Sequence, residues 1–250
     1  MTRFSTLPAI WLASACLSST ALAQQSTVVI NQSGVSASGT SGSSVVVVNG
    51  QVVSSVDATR GTGPERTERR TVGAFSSVQL NAPVEAVFSA SPTASVSITG
   101  PSDILPLIVT TVADGKLSIG LTAPVVLAAP LRVAITGPSL QAVSIPGAGT
   151  LRASGLHEAS IDLRLSGSGS IVAEGQVGSV RAAISGSGEV DASALRAQRL
   201  DAQLSGSGRI LGYASDAASV ALTGSGDIVV AGRPPQRAVS RTGSGQVYFE

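Results

Sequence analysis

The chain has 250 residues, with 16 Lys and Arg against 15 Asp and Glu, one His and one Cys. So even a balance offers no basic patch for nucleic acid, and a single Cys with a single His supplies neither a disulfide nor an ordinary zinc ligand set. Aromatic residues make up only 3% of the chain, so sugar-stacking rings are scarce too.

Residues 1–23 read as an export signal. Arg3 gives a charged start, an apolar run follows, and Ala21-Leu22-Ala23 before Gln24 forms a small-x-small cleavage site. Cleavage there removes the only Met, Trp and Cys together with Arg3, leaving 15 basic and 15 acidic side chains. A lipoprotein alternative, with Cys16 as the lipidated residue, has only the poorly matching Ala13-Ser14-Ala15 before it. No later apolar run reaches the ~18 residues of a membrane-spanning helix. The expected location is therefore outside the cytoplasm: periplasm, cell surface or medium.

Residues 24–71 are rich in Ser, Thr, Gly and Val, and carry little charge before Glu65-Arg66-Thr67-Glu68-Arg69-Arg70. They are expected to form a flexible leader. One piece has strand character: Val45-Val46-Val47-Val48, then Asn49-Gly50, then Gln51-Val52-Val53 is a hairpin signal. A lone hairpin is marginal in water, so this one is either transient or covers an end or edge of the following domain.

From residue 72 the texture becomes strand-like. Phe75, Val78 and Leu80 lead into Val84, Val87 and Phe88, then Val96 and Ile98, then Leu105 to Val109. Asp114-Gly115 stands between two strand runs as a turn. Val125 to Leu127 and Leu131 to Ile135 follow. Residues 72–142 are expected to be the less regular first coils of a solenoid.

Residues 143–250 repeat one cassette. Gly147-Ala148-Gly149 is followed by Gly167-Ser168-Gly169, Gly186-Ser187-Gly188, Gly206-Ser207-Gly208, Gly224-Ser225-Gly226 and Gly243-Ser244-Gly245, at steps of 20, 19, 20, 18 and 19 residues. A fixed period of this size marks units that stack only on their neighbours. Two places before the first Gly stand Ile145, Leu165, Ile184, Leu204, Leu222 and then Arg241; two places after the second stand Leu151, Ile171, Val190, Ile210, Ile228 and Val247. Alternation with period two means strands with one buried face. The predicted fold is all-β, a parallel β-helix of ~19-residue coils with Gly-Ser-Gly corners. Gly permits the sharp bends. The polar positions form ladders, Asp162/Arg181/Asp201 and Glu189/Arg209/Asp227, whose alternating signs support stacking.

The succession of Phe75-Ser76-Ser77-Val78-Gln79-Leu80, Val96-Ser97-Ile98-Thr99-Gly100-Pro101-Ser102-Asp103-Ile104-Leu105 and Asp114-Gly115-Lys116-Leu117-Ser118-Ile119, followed by Gly-Ser-Gly coils, resembles the putative auto-transporter adhesin, head GIN domain family over residues 72–250. The resemblance implies an exported, envelope-associated, right-handed β-helix. It carries no catalytic residues to transfer.

Chemistry is hard to place. His157, beside Glu158, is a surface-loop His without ligand or triad partners. The corner serines lack the strand-to-helix setting of a Gly-x-Ser-x-Gly elbow. The Gly-rich corners lack the Lys-Ser/Thr closure of a phosphate loop. Glu189 and Asp191 could form a hydrolytic pair, but Arg209 stacks beside Glu189. The last coil is odd: Arg241 takes an inward-type position, and Tyr248 and Phe249 lie on a terminal strand whose edge could serve as a partner contact. The expected function is a non-catalytic structural or adhesin-like binding module without cofactor. Its partner would be an envelope protein, a glycan, or a second copy through the C-terminal edge. The rival is a carbohydrate-active β-helix enzyme.

Overall fold

The structure, a computed structural model, describes residues 27–29, 45–48, 51–55 and 59–250. The signal segment, Cys16 and the Asn49-Gly50 turn lie outside the described residues. The chain divides into Met1–Asp57 and Ala58–Glu250. In the first unit, Val45–Val48 pairs antiparallel with Gln51–Ser55 and parallel with Thr27–Val29.

In the second unit, alternating side chains build a solenoid of parallel rungs with two long sheets. One holds the strands after the corners, with Thr150, Ser170, Glu189, Arg209, Asp227 and Gln246 in one column. The other holds the strands before the corners, with Leu163, Ala182, Ala202, Val220 and Val239 in register. A short third face begins as Leu156↔Gly175↔Leu195. Inward columns are buried: Leu165, Ile184, Leu204 and Leu222 are at most 3% exposed. Among the described residues no α-helix occurs, only a 3₁₀ turn at Leu105–Leu107.

The order of rungs departs from the order of the chain. Within residues 72–142, Ser77–Leu80 lies between Lys116–Leu121 and Ala142–Ile145, and Val84–Ala90 lies between Leu131–Gly137 and the start of Thr150–Gly167. The excursion through residues 91–141 thus folds back over the N-terminal side of the first coil. Antiparallel strands, Ser95–Pro101 on one sheet and Ile108–Ala113 on the other, end the parallel stack there. This end is packed by large side chains, with Phe88, Ile98, Ile104, Leu117, Ile119 and Leu131 each fully buried. The regular coils instead place Ala173, Ala182, Ala192 and Ala202 inside.

The leader ends earlier than residue 71. The charged run Glu65–Arg70 is a strand, antiparallel to Ser95–Pro101. Its side chains are almost all exposed, which suits an edge strand. Arg70 is the exception. Its guanidinium donates to the carbonyls of Leu105 at 3.1 Å and Ile108 at 2.6 Å and to Thr110 Oγ1 at 2.9 Å, tying the strand to the 3₁₀ turn. Upstream, Asp103 Oδ2 accepts from the backbone N–H groups of Thr62 at 2.9 Å and Gly63 at 3.1 Å. These bonds, that from Thr62 first, hold the Asp103 carboxyl below its ordinary pKa of 3.8.

At the C-terminal rung the inward columns change character. Arg237 follows Ala218, and Arg241 follows Leu222. Arg237 lies over the Phe249 ring at 4.6 Å and donates to the Pro234 carbonyl; Arg241 donates to the Gly245 carbonyl at 3.0 Å. Val239, whose counterpart Val220 is 2% exposed, is 51% exposed. Two inward cations make this rung a poor floor for another apolar rung, a recognised way of blunting a sheet end.

The corners set the tightest constraint. Gly186 has φ +130°, and a Cβ there would lie 2.5 Å from the Gly167 carbonyl oxygen. Gly147, in the first corner, has open space around its would-be Cβ. Gly186→Ala should therefore cost at least about 2 kcal/mol of stability, from strain plus collision. Gly147→Ala should stay within about 0.5 kcal/mol in the same denaturant titration. Because the Asp103 pKa is depressed on folding, its contribution is fully present above pH 3.8 and fades as pH falls below it. Hydrogen exchange should show the Thr62 and Gly63 amides losing protection in that acid window, and at neutral pH in Asp103→Ala. Replacing both cations, as Arg237→Val with Arg241→Leu, should produce concentration-dependent association in sedimentation velocity, while Arg152→Leu on the outer face should not.

Candidate functional site

The corner residues fall into columns. The backbone N–H groups of Ser187 and Gly188 donate to the Gly167 carbonyl at 3.0 Å, and those of Ser207 and Gly208 to the Gly186 carbonyl at 3.0 and 3.1 Å. The pattern repeats from Ser225 and Gly226 to Gly206, and Gly245 donates to Gly224. Gly169 donates to Gly147, and Ser170 to Gly149. Gly243 pairs with Gly224 at the last corner. Ser168, Ser187, Ser207, Ser225 and Ser244 point to solvent at these bends, and Ser244 Oγ donates to Ser225 Oγ at 3.1 Å. The bends therefore carry backbone geometry. A groove of about 220 Å³ lies beside them, between the corner serines and Glu189, Arg209 and Asp227.

The two acids of the candidate hydrolytic pair, on one outward strand face, have different neighbours. Asp191 Oδ1 accepts from its own Ser193, N–H at 3.0 Å and hydroxyl at 2.6 Å, closing a local turn. Arg209 stands in register between Glu189 and Asp227, 3.9 Å from the latter. His157 Nδ1 lies 3.1 Å from the Gly155 carbonyl, and Glu158 accepts from the Leu140 N–H. Tyr248 and Phe249 separate: Tyr248 faces outward, 51% exposed, while Phe249 packs against the core beneath Arg237.

Two grooves mark the outer face of the sheet before the corners. Counting back from each first corner Gly, position −5 carries Asp162, Arg181, Asp201, Ser219 and Ala238, and position −7 carries Ser160, Ser179, Arg199, Ala217 and Gln236. Both columns are in parallel register. Asp162 holds Arg164 through two bonds, of 2.7 and 3.1 Å, and those bonds raise the guanidinium above its ordinary pKa. Asp201 accepts from Arg181 at 3.4 Å and Gln203 at 3.3 Å. These groups form a polar ridge parallel to the stacking direction.

Beside the ridge runs a groove of about 610 Å³ that crosses five rungs, from Ser160 to Gln236. Short side chains floor it, and Arg181 and Arg199 stand in its lining beside Asp162 and Asp201. On the other side a second groove, of about 480 Å³, is lined by Ser166, Ser185, Ser205 and Thr223. The ladder at −5 is legible in the sequence; Arg199 and the groove it lines were missed. The same count carried two residues further back would have found them.

Residues 74–234 match the family described as putative auto-transporter adhesin, head GIN domain. No curated protein matches the chain. Among solved structures, a putative adhesin from Bacteroides fragilis is 21% identical with a TM-score of 0.65, covering 77% of this chain and all of the other. A protein from Parabacteroides distasonis described as a putative lipid binding protein is 18% identical with a TM-score of 0.52, covering 78% of this chain and all of its own. A putative adhesin from Parabacteroides merdae is 17% identical with a TM-score of 0.51, covering 78% and 99%. At these identities the likeness is one of fold. With the family match spanning well over half its length, the chain belongs to the putative auto-transporter adhesin, head GIN domain family.

Proposed function

We propose that the chain is an exported, non-catalytic binding module of the cell envelope, adhesin-like, which presents the ridged outer face of its solenoid to a partner. The observation that carries this is the groove of about 610 Å³ crossing five rungs, with charged and hydroxyl side chains repeating at rung spacing. Concave surface with convergent polar groups is the usual form of a recognition site, and a stack of hydrogen-bonded coils offers it ready-formed, at low ordering cost. The names of the Bacteroides and Parabacteroides relatives, adhesins and one lipid-binding protein, belong to the same class of activity. Export rests on Arg3, the apolar run and Ala21-Leu22-Ala23. Asp191 is taken up by Ser193, and Glu189 has the cationic Arg209 as its register neighbour, which speaks against a polysaccharide hydrolase.

The full chain expressed in a Gram-negative host should lose residues 1–23, yield Gln24 as the new N-terminus, and leave the cytoplasmic fraction. The purified product should retain envelope material in pull-down without releasing new reducing ends from a polysaccharide panel. A cytoplasmic product with Met1 intact would contradict export. Reducing-end release lost in Glu189→Ala would contradict a non-catalytic role.

A further inference from the structure

The regular coils carry an uneven charge. Residues 141–194 hold three Arg against five carboxylates, whereas residues 195–250 hold six Arg against four. The groove beside the ridge runs from the first region into the second, and its outward cations stand on two adjacent rungs near its middle. Arg181 lies on one rung and Arg199 on the next, whereas Arg237, two rungs beyond, belongs to the inward column and lies over Phe249. Rungs repeat at about 4.8 Å, close to the advance of one sugar unit in an extended polysaccharide.

From this we infer that the groove seats a linear acidic polysaccharide, a carboxylate-bearing sugar chain lying parallel to the stacking direction. The inference rests on the binding-module reading above and names its ligand class. Arg199 is the principal cation: none of the ion pairs among the described residues engages it. Arg181 is 57% exposed and makes only one long contact, to Asp201 at 3.4 Å, so most of its five donors are free for a ligand. A guanidinium presents a planar fork that fits a carboxylate bidentately. Ser160, Ser179 and Ser219 along the floor and Gln236 on the wall supply the short polar groups that sugar hydroxyls require. Asp162 and Asp201 are occupied by Arg164, Arg181 and Gln203, so the carboxylates facing the groove are compensated. A polymer with one carboxylate per sugar can set successive carboxylates against Arg181 and Arg199, which stand on adjacent rungs, and the two contacts add through effective concentration. A neutral glycan would leave Arg199 without a partner.

Affinity electrophoresis of the full mature chain, through gels containing polygalacturonate, dextran or poly-glutamate, tests this. Polygalacturonate should retard the protein, dextran should not, and retardation should fall as salt shortens the Debye length from about 10 Å at 0.1 M. Arg199→Ala should weaken apparent affinity about tenfold and Arg199→Lys less, because charge is kept while the bidentate fork is lost. Arg152→Ala, on the other sheet's outer face, should leave affinity unchanged. Equal retardation by dextran, stronger retardation by poly-glutamate (an acidic peptide partner), or indifference to Arg199→Ala would overturn the inference. If polygalacturonate fails while envelope extracts are still retained, the ligand class falls and the binding module stands; if neither is retained, both fall.

Discussion

In this solenoid the carbonyl oxygen of one corner occupies the space that a side chain at the next corner would need. Gly167 crowds Gly186 in this way, and Gly186 crowds Gly206. Each coil must therefore turn directly over the one before it, and the hydrogen bonds from Ser187 and Gly188 to Gly167 hold it there. Once the bends are superposed, every position counted from a corner becomes a column. The aliphatic columns make one continuous core, which no single coil could bury alone. The outward columns become ladders whose chemistry is set by one residue per rung.

Parallel stacking has no natural stop, and the first and last described rungs differ in character. At the N-terminal side the chain leaves its first coil, makes antiparallel strands and returns, covering that coil with Ile98, Ile104, Leu117, Ile119 and Leu131. At the C-terminal rung Arg237 and Arg241 replace aliphatic lining, and their guanidinium groups fold onto Phe249 and the Gly245 carbonyl. Between these ends the outer faces are free to vary. Polar and short side chains on the face before the corners create a ridge and two grooves without disturbing the interior.

Much of this was legible from residue order. The spacing of the Gly-Ser-Gly cassettes and the alternation Ile161/Leu163/Leu165 determine a stacked β fold, and the signs of Asp162, Arg181 and Asp201 already show that the columns are in register. The first coils were not legible in the same way. Residues 75–90 pair with strands from residues 116–154, and which strand neighbours which depends on long-range closure that no local pattern records. The strand Glu65–Arg70 was hidden because an exposed edge needs no apolar alternation. The groove escaped notice because the ladder was counted only at −5, although Ser160, Ser179 and Arg199 at −7 continue the same outward phase. The phase changes only upstream of them, where Val177 and Val180 both face inward three residues apart.

The central claim is that successive coils superpose in one register along the stacking direction. Spin labels at Ser168 and Ser244, in a Cys16→Ser background, measure it directly. Four rung steps at 4.8 Å predict backbone positions about 19 Å apart, and moving the first label to Ser187 should shorten the double electron–electron resonance distance by one rung. A distance that does not shorten in this way, or that is broadly distributed, would contradict superposed coils.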